Sequence, residues 1–203
     1  MSQISDLQKP FHDNEIEWRV QMCGKTQESR IWALLVPYPD SRRIMERLDE
    51  VLGVHNWHDE YRVNDKGVIC RLTINADGKV ISKEDGADFT GNSPLKGAMT
   101  NAFKRVAVKF NIGNIRALYG IGDILAKEIR TDYPPRNEHV IKIIDRNKGI
   151  RAWCYPPKVS EILNKKSKTE IKIEENGNVG IGEKVNGFSD EELDYPLDQG
   201  ELF

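Results

Sequence analysis

The chain has 203 residues, 38% hydrophobic and 31% charged, with a formal net charge of −2. It contains no apolar run long enough to span a membrane, and its polar Met1 to Lys9 start gives no secretory signal, so a cytoplasmic location is expected, with no membrane partner. Three widely separated cysteines, Cys23, Cys70 and Cys154, with no CxxC pair, argue against a disulfide framework and fit a reducing compartment.

In chain order, an opening helix is expected around Asn14 to Met22, with Trp18 as its largest apolar group. The apolar run Ile31 to Val36 reads as a strand ended by Pro37 and Pro39. Asp40 or Ser41 then caps a helix to about Leu52, with Ile44, Leu48, Val51 and Leu52 inward and Gly53 as its C-terminal cap. Three strands follow, Trp57 to Val63, Val68 to Asn75 and Lys79 to Lys83. Asn64-Asp65-Lys66-Gly67 and Asp77-Gly78 between them are hairpin signals. A loop rich in Gly, Asp and Asn leads to a long helix, about Ser93 to Phe110. Val140 to Ile144 and Ile150 to Tyr155 read equally as short helices or strands. From Lys158 the chain is polar and reads as a disordered acidic tail, giving a core over 1–157 and a tail over 158–203. The fold class is α+β: an antiparallel β-β-β meander packed on one long helix, with a helix inserted after the first strand.

Charge is distributed unevenly. Residues 158–203 carry six Lys against eleven Asp or Glu, leaving the preceding 157 residues at +3. Phe89 to Gly122 holds five basic residues, Lys96, Lys104, Arg105, Lys109 and Arg116, and no carboxylate. Within it, Leu95, Ala98, Met99, Ala102, Phe103, Val106 and Phe110 form an apolar stripe at helical spacing, from which Lys104 and Arg105 project. A helix buried on one side and cationic on the other suits a polyanion such as nucleic acid; a plain solvated surface is the bland alternative.

Tests for catalysis give little. No GxxxxGK[ST] loop occurs, and Gly120-Ile121-Gly122 lacks the third glycine of a dinucleotide loop, so no nucleotide cofactor is expected. His55 and His58 lack companions at metal-ligand spacing, so no metal is expected. Pro39-Asp40 with Asp77-Gly78-Lys79 resembles a metal-dependent nuclease pattern, but Asp40 reads better as a helix cap and Asp77-Gly78 as a turn. No catalytic residue is assigned. A passive single-strand coating protein is the other alternative; its stacking platforms would have to come from Trp18, Trp32, Trp57, Tyr61, Phe103 and Phe110, which sit at core-like positions.

Four segments together resemble one family. They are Leu7-x-x-Pro10-Phe11 with Ile16-Glu17-Trp18-Arg19; Arg43 to Gly53 with Asn56-Trp57 and Tyr61; Asp85-Gly86; and Ala102-Phe103-Lys104-Arg105-Val106-Ala107-Val108-Lys109-Phe110-Asn111-Ile112-Gly113 with Leu118-Tyr119. Over about residues 7–119 the chain resembles the Rad52 superfamily of single-strand DNA annealing proteins, which includes the phage Sak proteins. It departs from that pattern at Asn101, Val108 and Asn114, where the family carries Asp, Arg and Arg. The resemblance implies a β-β-β-α core assembled into a closed homo-oligomeric ring, in a bacterial or phage-infected cell. It implies annealing of complementary strands in recombination and double-strand break repair without ATP, metal or catalysis. By position it implies that Arg43, Lys104 and Arg105 line the DNA groove, with Lys109, Lys96 and Arg116 as further cations.

The tail ends in an acidic tip, Ser189 to Phe203, with six carboxylates and apolar Leu193, Tyr195, Leu197, Leu202 and Phe203. Such tips recur in bacterial single-strand-binding proteins. This one reads as a solubilising tail, or as a segment that meets a single-strand-binding or other recombination protein or competes with DNA for the chain's own groove.

Overall fold

The computed structural model describes residues 2–89 and 94–164; most of the acidic tail and its tip lie outside them. A short helix α1 (Gln3–Leu7) precedes two long strands, β1 (Ile16–Lys25) and β2 (Ile31–Pro39), and helix α2 (Ser41–Leu52). Strands β3 (Trp57–Val63), β4 (Gly67–Ala76) and β5 (Lys79–Asp88) lead to α3 (Pro94–Phe110), α4 (Ile115–Tyr119) and a two-residue strand β6 (Ile124–Leu125). A hairpin of β7 (Ile141–Asp145) and β8 (Ile150–Cys154) follows. The architecture is α+β, with antiparallel sheets packed against helices.

The β3-β4-β5 meander is present as expected, but among the described residues it is one of three sheets. β2 lies between β1 and β6 in a second sheet, and β7 pairs with β8 in a third. Residues 16–22 form a strand, not the expected helix. Ile16, Trp18 and Val20 alternate with Glu17, Arg19 and Gln21, and a period of two buries Ile16 and Trp18 while exposing the polar set. β2 also runs through Pro37 and Pro39. β6 reaches only Leu34 and Leu35, so at the prolines β2 is a sheet edge, where a missing N–H is tolerated. β5 likewise continues to Asp88, absorbing Asp85 and Gly86 from the expected loop. The ambiguous 140–155 region resolves as the β7–β8 hairpin. Residues 159–164, at the start of the polar stretch, are helical; Val159 is buried, and the Ser160 hydroxyl donates to Asp13 at 2.6 Å.

Two connections follow local chemistry closely. Asp40 is the N-cap of α2, accepting from the Arg42 N–H at 2.7 Å, and Gly53 ends the helix at φ 82°. The β4–β5 turn places Asp77 at φ 52° and Gly78 at φ 72°, positive at both central positions as a tight hairpin requires. The Asp77 carboxylate then holds the start of α1, accepting from the Gln3 N–H at 2.8 Å and from the Ser2 hydroxyl.

α3 lies on the face of the meander that presents Cys70, Leu72 and Ile74, all fully buried. It contributes Ala98, Ala102, Phe103, Val106, Ala107 and Phe110. Leu95, expected in this stripe, is 49% exposed at the first turn, and Ala107 is buried in the stripe instead. Trp57 and Phe103 meet at 6.4 Å, and the Trp57 indole donates to Asp49 of α2 at 2.7 Å.

Three of the recognised segments converge at one joint. The Phe11 N–H donates to the Gly113 carbonyl at 3.2 Å, and the Arg47 guanidinium lies 4.9 Å from the Phe11 ring centre. Arg47 also donates to the Lys9 carbonyl at 2.7 Å. Gly113 sits at φ 62°, and a Cβ there would overlap the Phe11 ring. Arg47 is therefore a structural clasp between the N-terminal segment and α2.

Candidate nucleic-acid interface

The six cations read from the sequence fall around α3, in different surroundings. Arg105 and Lys109, one turn apart, both reach Asp85 of β5, at 3.0 Å and 3.3 Å. Burial pushes the Asp85 carboxyl up, but the Gly86 N–H, Arg105 and Lys109 together hold it below the usual carboxylate range. Two of the five cations in the acid-free segment therefore share one carboxylate just outside it in sequence.

Arg116 turns back to the end of α3, donating to the carbonyls of Val108 at 2.9 Å and Lys109 at 2.7 Å. There it meets Lys83 of β5, which donates to the same Lys109 carbonyl at 2.6 Å and lies 4.6 Å from the Phe110 ring centre. These cations complement the negative end of the helix dipole. Burial, then the neighbouring Arg116 and Lys109 charges, lower the Lys83 pKa. The sequence reading did not single out Lys83. Its signal was its place in the two-residue alternation, opposite the buried Leu72.

Lys104 is half-buried on the other flank of α3, its ammonium 4.7 Å from the Tyr38 ring centre. Burial lowers its pKa, while Asp40 and Glu17 act to raise it. Tyr38 donates to Glu17 at 2.7 Å, and its own pKa rises to about 12 through burial and that hydrogen bond. Arg43, in the first turn of α2, pairs with Glu46 at 2.6 Å, the carboxylate one turn along its own helix. Lys96 borders an open groove between α2 and α3 floored by Met45, Tyr61, Met99 and Phe103. Contacts thus join Arg105, Lys109, Arg116 and Lys83 into one cluster at the end of α3. Lys104, Lys96 and Arg43 lie toward α2.

The carboxylates of the nuclease-like pattern are committed elsewhere, Asp40 to α2 and Asp77 to α1. Among the described residues, no group of three or more His, Cys, Asp or Glu is arranged to hold a metal ion. The profile of the Rad52/22 family of double-strand break repair proteins matches residues 2–128. The chain belongs to that family. No curated protein matches it individually. The Rad52/22 function is binding and annealing of single-stranded DNA in recombination and repair, a non-catalytic activity, and the chain is accordingly a DNA-binding annealing protein. The matched span contains both cation groups and the Phe11–Arg47–Gly113 joint. It ends before the β7–β8 hairpin. No described helix is long and apolar enough to cross a membrane.

Proposed function

We propose that this Rad52/22 protein anneals complementary strands by holding one strand's phosphates along α3, with Lys104, Arg105 and Lys109 as principal contacts. Arg43, Lys96 and Arg116 extend that path. The observation carrying the reading is the collection of cations from α3, β5 and α4 along one buried helix, on a scaffold that keeps α3 fixed. Phosphate contacts release counterions and carry no sequence information. Pairing with the incoming strand then supplies recognition, and neither ATP nor a metal is required. The Lys104→Ala/Arg105→Ala variant is expected to fold normally, anneal at least tenfold more slowly, and bind oligo-dT with a salt slope lower by about 1.4. Annealing of labelled complementary strands in magnesium-free buffer checks this. A folded double variant annealing at the wild-type rate would refute the groove, and shortened strands in magnesium would restore the nuclease.

The finer reading includes a closed homo-oligomeric ring. It is supported by large apolar side chains exposed on the single chain, among them Val63, Val80 and Leu95. Light scattering at micromolar concentration should give a mass well above a dimer, and a monomer would contradict the ring. The acidic tip from Asp190 to Phe203 is assigned to a recombination partner or to self-competition with DNA. Deleting it should tighten oligo-dT binding at low salt, with the difference fading at high salt. Equal affinities at low salt would eliminate self-competition.

A further inference from the structure

The family match ends at residue 128, and net positive charge begins after it. Residues 1–128 carry 18 Lys or Arg and 18 Asp or Glu, whereas 129–157 carry six against three. The β7–β8 hairpin turns Ile141, Ile143, Ile150, Ala152 and Cys154 into the core. Its other face pairs Lys142 with Trp153 and Ile144 with Arg151. The 131–139 segment runs alongside, leaving a cleft of about 820 Å³ lined by Arg136, Lys142 and Arg151 and also by the carboxylates Asp132 and Glu138. Ligand clefts occupy roughly 300–1,000 Å³.

Three features give this cleft a chemistry. Its cations Arg136, Lys142 and Arg151 have no carboxylate ion pair among the described residues, unlike Arg43, Arg105 and Lys109. The nearby carboxylates are engaged by neutral donors: Asp132 accepts from the Trp153 indole at 3.1 Å, and Glu138 from the Tyr155 hydroxyl at 2.6 Å. Exposed aromatics are present too. Tyr133 is 83% exposed, with the Arg151 guanidinium 5.6 Å from its ring centre, and Tyr155 is 43% exposed. By contrast, Trp18, Phe103 and Phe110 are buried, and Trp32, Trp57 and Tyr61 are half-buried.

We propose that this cleft is a second site for single-stranded DNA, separate from the α3 path, with phosphates against Arg136, Lys142 and Arg151 and a base stacked on Tyr133. Unpaired cations beside an open aromatic are the pattern by which single strands are held without regard to sequence. The proposal rests on the reading of the chain as a single-strand-binding protein. The site lets one protomer hold strand outside the α3 path, raising the local concentration of DNA during the search for pairing.

The test measures oligo-dT binding by the full chain across a salt series, using fluorescence anisotropy. Arg136→Ala/Lys142→Ala/Arg151→Ala should lower affinity at least tenfold at low salt and reduce the salt slope by about 2. Tyr133→Ala should lower affinity about tenfold without changing the slope. Should the triple variant fail to fold, cross-linking of wild type to 5-iodouracil-substituted oligo-dT decides, with Tyr133 expected as an adduct. Wild-type affinity in both folded variants, or no adduct within 129–157, overturns the second site. If Lys104→Ala/Arg105→Ala is impaired in the same series, the α3 reading survives that failure. If wild type binds no oligo-dT, both readings fall. If the triple variant instead loses only binding to an acidic peptide of sequence Ser189 to Phe203, the cleft is a peptide site and the proposal is wrong.

Discussion

Gly113→Ala is expected to destabilise the protein by about 2–4 kcal/mol, through forced overpacking and a left-handed backbone that alanine resists. The added methyl would enter the space of the Phe11 ring, and Gly113 holds φ 62° immediately after α3. The ring has little room to retreat, because the Arg47 guanidinium packs on it and is itself fixed to the Lys9 carbonyl. Urea unfolding checks the magnitude. Combining the change with Phe11→Ala should cost less than the two single losses together, since the smaller side chain removes the overlap. A Gly113→Ala midpoint indistinguishable from wild type would mean that the joint is looser than its geometry indicates.

Asp85→Asn is expected to tighten single-strand binding by about threefold to tenfold at low salt and to steepen the salt dependence by up to about 1.4. Asp85 occupies Arg105 and Lys109 together, so in the wild type a DNA phosphate must displace a carboxylate from each. The amide keeps an acceptor for the Gly86 N–H but gives up the charge. Unchanged or weaker binding would put Arg105 and Lys109 outside the DNA path. Acid behaviour offers a second check. A carboxyl held below its ordinary value of 3.8 adds stability above that pH and loses it as pH falls through the depressed value. The variant should therefore be less stable than wild type at neutral pH, and the gap should close in strong acid.

What the sequence made legible followed from local chemistry. The Asp40 cap, the Gly53 stop and the Asp77-Gly78 turn are decided within a few residues, so α2 and the β4–β5 hairpin were readable. The α3 stripe was readable because its period is strong over 17 residues. β1 reads as a helix from its sequence because the Ile16-Trp18-Val20 alternation spans only five residues, too few to fix a period. Pro37 and Pro39 ended a strand too early because only the partner strand reveals which edge is open. At the site, the cations were visible but their partners were not. Asp85 lies 20 positions before Arg105, and only the packing of β5 on α3 brings them together. The same blindness hid the hairpin cleft. Its Arg and Lys residues are scattered through a weakly patterned stretch and acquire meaning only when β7 and β8 pair.

The chain's three thiols have a practical consequence for watching it work. Cys23, Cys70 and Cys154 are all buried, and burial pushes Cys70 and Cys154 up to about 11 and raises Cys23 as well. Thiolates at such sites are scarce near neutrality and hard to reach, so maleimide dyes should pass them by. The native protein is therefore a silent background for fluorescence. A single Lys79→Cys, at an exposed position beside the Asp77-Gly78 turn, would accept one dye without stripping the wild-type cysteines. Mixed donor- and acceptor-labelled preparations would then report subunit neighbours and strand arrival in real time.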